Sequence, residues 1–264
     1  MAEAEGGTAA ADSKSISTNR EQFDSFFEHF MAEQSRHLTD LRAAATAHPR
    51  PPITDLQKLV EQVMSHYENY YRTKSACAQH DVTLMLSPTW TSSTEDLFMW
   101  AGGWRPTTAF HLLYSKSSIQ LEAQLDEILK GLRTADLSNL SAVQLQAVHD
   151  LHRSTIKTER AISEKLAVVQ KEVAAKEMVE IAGAAGEGME GEMEKKRECA
   201  LSVLQQADQL RIDTIKGIVG ILECFQAVHF LIAAAELHLA VHEYGKGKDE
   251  ATVATEEQAA MAAD

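Results

Sequence analysis

A chain of 264 residues with a formal net charge of −14 has the wrong sign for gripping DNA, RNA or an anionic membrane without sequence preference, because that needs a basic surface. With 44% hydrophobic and 24% charged residues it can bury a sizeable core, as one large domain or two small ones. Its three cysteines (Cys77, Cys199, Cys224) lie far apart with no CxxC, which argues against a disulfide framework or a zinc site and for a reducing compartment.

Residues 1–18 are acidic and Ala-rich with no apolar core region. No secretory signal is therefore expected, and the segment is predicted to be a disordered tail. From about Asn19 to Ala47, Phe23, Phe26, Phe27, Phe30, Met31, Leu38 and Leu41 recur at helical spacing, giving one strongly apolar face. The run His48-Pro49-Arg50-Pro51-Pro52 stops this helix. Thr54 with Gln57 reads as a capping box for a second helix carrying Leu56, Val60, Val63, Tyr67 and Tyr70. A short apolar piece, Val82 to Leu86, leads into the stretch 87–115, which holds all three tryptophans (Trp90, Trp100, Trp104) and the Gly102-Gly103 pair. Thr94 is a candidate N-cap for a short helix with Leu97, Phe98 and Trp100, Gly102 or Gly103 can end it, and Pro106 opens the next. The pattern predicts helix, tight glycine corner, helix, with indoles packed around the corner.

Ile119, Leu121, Leu125, Ile128, Leu129 and Leu132 mark a helix closing near Gly131. After the polar turn 136–141, a long helix is predicted over 141–180. Val148, Thr155, Ile162 and Val169 fall seven apart in it, as do His152, Glu159, Leu166 and Val173. It would be roughly 60 Å long, and the polar members of the second row favour a bundle element over a coiled-coil seam. Gly183 to Glu194, rich in glycine and glutamate, reads as a flexible acidic loop. A last helical region is predicted over 195–244, with Gly217 and Gly220 able to kink or divide it. The apolar run Phe225–Val241, interrupted by Gln226, His229, Glu236 and His238, reads as too short and polar to span a bilayer and so as a buried helix. Residues 245–264 are predicted to be a disordered tail. No segment alternates as a strand would. The expectation is all-α: a single multi-helix bundle over 19–244, with long helices and a Trp/Gly corner between two short ones.

Few motifs carry chemistry. Gly186 to Gly191 matches GxGxxG, but a helix precedes it and its glutamates would repel phosphate, so it is a loop. There is no GxSxG, no phosphate-binding Walker loop and no HExxH, and an enzyme is not expected. The strongest candidates are His238 and His242, four apart and on one helical face. Such a pair can ligate one metal, or one imidazole can ligate a haem iron while the other supports it. It can equally be two amphipathic histidines at a core edge.

The segment TEDLFMWAGGWRPTTAFHLLYS resembles the signature of the Delay of Germination domain of plants, shared with the C-terminal half of TGA-type bZIP transcription factors. FFEHFMAEQSRHLTDLRAA, ADLSNLSAVQLQAVHDL and QADQLRIDTIKGIVGILECFQAVHFLIAAAELHLAVHEYG extend the likeness over most of the chain. Only Lys14 and Arg20 are basic before the first helix, so the whole resembles a stand-alone member, without the basic helix that direct DNA binding needs. The resemblance implies a nuclear and cytoplasmic regulator of seed dormancy and abscisic acid responses. It would act by contacts with type 2C protein phosphatases or a bZIP factor, and by self-association. Its contact surface would lie in the N-terminal region, at Phe23, Phe26, Phe27 and Phe30, whose other reading is plain core. A transcriptional co-regulator and a pollen-aperture relative are the alternatives. The family's C-terminal His-x-x-x-His, to which haem binding is attributed, matches LHLAVHEYG. This implies His238 and His242 as ligands of a haem iron, with Tyr244 standing where the family has tryptophan.

Overall fold

A computed structural model describes residues 6–123, 136–172, 175–183 and 188–263. The described chain runs through α1 (Gly6–Thr46), α2 (Ile53–His80), α3 (Val82–Leu86) and α4 (Ser93–Asp96) to a minute hairpin, β1 (Met99–Trp100) and β2 (Gly103–Trp104). It continues with α5 (Thr108–Ala123), a 3-10 turn (Leu137–Asn139), α6 (Ala142–Lys171), α7 (Lys176–Gly183), α8 (Met189–Ile221) and α9 (Cys224–Ala263). It is an all-α bundle. Helix α1 lies along α9, α6 along α8, and α2 touches both α8 and α9. Phe23, Phe27, Phe30 and Leu41 of α1, Val63 and Tyr67 of α2, and Val228, Leu231 and Ala235 of α9 meet in one core, as the helical spacing of the phenylalanines requires. A smaller cluster joins Trp100 and Ala101 of the hairpin to Ile162 of α6 and Val203 and Ala207 of α8.

Several boundaries differ from expectation. The segments read as tails are helical where described, because α1 begins at Gly6 and α9 runs on to Ala263. The C-terminal extension is Ala/Glu-rich and so has high helix propensity, whereas residues 6–18, with two Gly, three Ser and two Thr, gain mainly because extending an existing helix avoids the nucleation penalty. Helix α2 starts at Ile53 behind Pro52 with no side-chain cap, so Thr54 and Gln57 form no capping box. The long central helix stops at Lys171, α7 is separate, and α8 begins at Met189 inside the segment read as acidic loop. Gly217 and Gly220 do not divide α8, which breaks only at Ile221. Gly217 instead admits Leu151 of α6, whose Cδ2 would lie 2.7 Å from an added Cβ. Leu125, Ile128, Leu129, Gly131, Leu132, Val173 and loop positions 184–187 lie outside the described residues. By length and composition 224–256 could cross a membrane, so it is not too short, but Val228, Leu231 and Ile232 are spent on the core.

The tryptophan corner is where the expectation fails most usefully. Ser92, not Thr94, caps α4, in a reciprocal capping box with Glu95. The chain then turns through a hairpin in which Met99 pairs with Trp104 and Trp100 with Gly103. The two loop residues, Ala101 and Gly102, have φ of 45° and 73°, the consecutive positive values that a two-residue type I′ loop demands. Gly102 is required twice over, since an added Cβ would also lie 2.4 Å from the Met85 carbonyl oxygen.

Candidate functional site

A two-residue hairpin leaves most of its carbonyls without ladder partners, and buried carbonyls must find donors. Here α2 and α8 supply them. Lys74 Nζ donates to Gly102 O (2.6 Å), and Arg211 donates through Nε to Trp104 O (2.7 Å) and through Nη2 to Ala101 O (3.1 Å) and Trp100 O. Both cations also donate to Asp208 Oδ1, Lys74 from 3.0 Å. Lys74 is 1% exposed, and Asp208 and Arg211 3% each. Burial pulls the Lys74 ammonium down to about 8, with Asp208 opposing the shift and Arg211 adding to it. From α6, Glu159 accepts from Arg105 Nη1 (2.7 Å) and from Thr107 N and Oγ1 at the start of α5. That gives the acidic position in the central helix its purpose.

The clamped hairpin roofs a cavity of about 150 Å3, walled by Phe30, Tyr70, Tyr71, Trp90, Trp104 and His238 among others. The His238 ring stands 6.1 Å from that of Phe30 and 6.0 Å, edge to face, from that of Trp104. Burial pushes its pKa down to about 4, against the pull of Glu95 and with help from His242. It is a neutral imidazole at neutral pH.

His242 is placed differently. Its Nδ1 lies 2.8 Å from Glu95 Oε2, which also accepts from Ser92 N (2.9 Å) and Ser92 Oγ (2.8 Å). Burial alone would raise the Glu95 carboxyl, but these bonds outweigh it and its pKa is lowered. His242 lines a separate groove of about 520 Å3 between α1 and α9, with Asp24, Glu28, Met31 and Lys246. The two imidazoles thus serve different spaces, and among the described residues no three metal-ligating side chains converge. Sites for drug-sized ligands run to about 300–1,000 Å3, so a porphyrin does not fit the cavity at His238. The groove is of that size. The carboxylate on Nδ1 leaves His242 Nε2 as the free nitrogen, the orientation of a metal-ligating histidine. The donor chemistry of a haem ligand therefore fits His242.

Of the four phenylalanines, Phe23, Phe27 and Phe30 are buried and Phe26 is half-buried. Phe23 packs on Trp90 with centroids 4.3 Å apart and Phe30 on Tyr70 at 4.6 Å, so only Phe26 shows part of its ring to the outside.

Next to them is a histidine pair the sequence reading passed over. His66 stacks on Phe30 (4.3 Å, 4°) and lies 5.0 Å from the His37 ring. His66 Nε2 and His37 Nδ1 are buried without partners. Burial, with His37 adding to it, lowers the His66 pKa to about 4. His66 and His238 therefore bind protons less readily folded than unfolded. Between pH 6.5 and about 4 the unfolded chain holds more protons, so stability rises with pH across that window and is lost on acidification. The urea midpoint should fall steadily from pH 6.5 to 4.5, and His66→Phe should make that fall shallower. An unchanged slope would exclude His66 as a contributor.

Sequence reading missed Lys74, Asp208, Arg211 and Glu95. Only Glu95 had a signal, since Ser92-x-x-Glu95 has the spacing of a capping box.

Comparison with known proteins adds the biological frame. A family model described as seed dormancy control matches residues 37–115, from the C-terminal end of α1 through the hairpin and into α5. Protein DOG1-like 3 of Arabidopsis thaliana is 30% identical over 254 residues, covering 91% of this chain and 89% of that protein. The chain belongs to the seed dormancy control family. Protein DOG1-like 2 of the same plant is also 30% identical, over 83% of this chain and 88% of that protein. Arabidopsis transcription factor TGA4 is 32% identical over 86% of this chain but only 57% of TGA4. The likeness to TGA4 thus extends over most of this chain and about half of that protein.

Proposed function

We propose that this protein is a non-enzymatic regulator of seed dormancy and abscisic acid signalling that acts through protein contacts, with a type 2C protein phosphatase as its partner. The observation that carries the contact reading is Leu97-Phe98, 80% and 51% exposed, between capped α4 and the hairpin. Phe98 stacks on Trp104 at 5.9 Å. Two adjacent large apolar side chains on a rigid support can anchor in a partner's pocket at little entropic cost. The relatives named DOG1-like support the dormancy setting. The double substitution Leu97→Ser/Phe98→Ser should weaken binding to a purified phosphatase at least about tenfold, in line with loss of an anchor, while the thermal midpoint stays put. Unchanged affinity would sink this surface. The TGA likeness favours a second partner reading, a bZIP factor met in the nucleus, which co-purification from nuclei would test.

Haem is the second component of the proposal, favoured by the Glu95-held imidazole. His242 would ligate the iron through Nε2, Glu95 would hold the ring, and the group would supply a ligand-responsive iron. A hemin titration should give a saturable Soret band at one equivalent that His242→Ala removes and His238→Ala leaves. A band insensitive to His242→Ala would refute it.

A further inference from the structure

The cavity under the hairpin has features that core packing does not explain. A recess of about 150 Å3, partly open to solvent, is left here among aromatic rings instead of being filled by side chains. An apolar cavity of about this volume in another protein binds benzene. This one is better furnished. His238 and Tyr71 both line the cavity and are half-buried, and neither side chain has a hydrogen-bond partner among the described residues. Half-buried polar groups without a protein partner are free to hydrogen-bond a ligand or water that enters this space.

We infer that this cavity is a binding site for a small, uncharged, planar molecule of benzene-to-indole size carrying one hydrogen-bonding group. Phe30, Tyr70, Trp90 and Trp104 offer ring faces and edges to a flat ligand. His238, neutral at physiological pH, can give or accept one hydrogen bond, and so can the Tyr71 hydroxyl. An anionic ligand is disfavoured because Lys74 and Arg211 are committed to Asp208 and to hairpin carbonyls. A cationic one is disfavoured because Glu95 is committed to Ser92 and His242. The roof is the clamped hairpin beside Leu97 and Phe98, so occupancy would be felt next to the proposed contact surface. The site itself does not depend on that surface.

The test is calorimetric titration of the full chain with phenol, indole and benzene, alongside tryptophan fluorescence, since Trp90 and Trp104 line the cavity. Phenol and indole should saturate at one equivalent. Phenol should bind more tightly than benzene by up to about tenfold, the worth of one net hydrogen bond; His238→Phe should reduce that preference and His238→Phe/Tyr71→Phe should erase it. Ala234 also lines the cavity, so Ala234→Leu should fill it and lower both affinities at least about tenfold. No saturation up to the solubility limit would mean that the cavity holds only water and would overturn the proposal. Binding indifferent to Ala234→Leu would overturn the location. Equal affinities for phenol and benzene would overturn the polar assignment. Each readout is independent of phosphatase or hemin binding, so failure here and failure of the proposed function are distinguishable.

Discussion

Asp208→Asn is expected to cost about 3–5 kcal/mol, the range for removing one member of a buried ion cluster, and to lower Tm by roughly 10 °C at this chain size. Asp208 is the lone anion between two buried cations. Asparagine keeps the shape and an acceptor oxygen but leaves two positive charges facing each other in a dry site. Lys74→Met should cost less, because the Asp208–Arg211 pair it leaves is neutral and the losses are one donor to the Gly102 carbonyl and one to Asp208 Oδ1. Two readouts separate this from ordinary packing loss. The near-ultraviolet circular dichroism of the tryptophans should change, since Trp100 and Trp104 carbonyls are held by Arg211. The pH dependence should also move. The Lys74 pKa in the folded protein, about 8, lies below its ordinary 10.5, so the unfolded chain holds more protons between those values and stability rises with pH there. Without Asp208 the folded pKa drops further, and the rise should begin nearer pH 7. A variant as stable as the parent, with an unchanged pH profile, would show that Asp208 is not what balances the cluster.

The residues of this clamp show where sequence stops informing structure. The phenylalanine stripe of α1 and the start of α6 near Ser141 were legible because each is a local pattern, a helical period in one case and a polar turn before a periodic run in the other. Lys74 was not. In YYRTKSACAQH a lysine reads as a solvated face, and Asp208 with Arg211 reads as an exposed pair one turn apart. Only the meeting of α2, α8 and a hairpin distant in sequence turns them into an internal cluster.

The hairpin was illegible for a different reason. Strands of two residues are too short to alternate, and Ala101 takes a positive φ that its identity does not advertise. The position of the corner could be read from its tryptophans, but not its conformation. The histidines fall between these cases. A spacing of four puts His238 and His242 on one helical face, yet it also separates them by about 6 Å along the axis and by about 40° around it. That offset is enough for one ring to enter the cavity while Glu95 draws the other to the groove.

The Tyr244-Gly245 step, which follows the histidines, has a physical explanation that leads to an expected result of inverted sign. Replacing glycine by alanine inside a helix ordinarily stabilises by up to about 1 kcal/mol. Gly247→Ala, in the open on the same helix with nothing within 4 Å of an added Cβ, should do so. Gly245→Ala should instead destabilise by about 2–4 kcal/mol, through overpacking and loss of a cap. Its Cβ would lie 1.9 Å from Ser92 Oγ, 2.5 Å from Ser92 Cβ and 3.1 Å from Thr94 Cβ. Ser92 cannot swing away freely, because its hydroxyl and amide hold Glu95 and cap α4. Nor can α9 easily lift, because Asp249 one turn on accepts from Ser93 N (2.9 Å) and Ser93 Oγ. The strain would reach Glu95, the carboxylate that fixes His242, so Gly245→Ala should also weaken hemin binding if His242 is the ligand. Chemical denaturation of the two alanine variants side by side is the check. If Gly245→Ala proved as stabilising as Gly247→Ala, α9 would not be seated on α4 as described, and the orientation of His242 would lose its structural support.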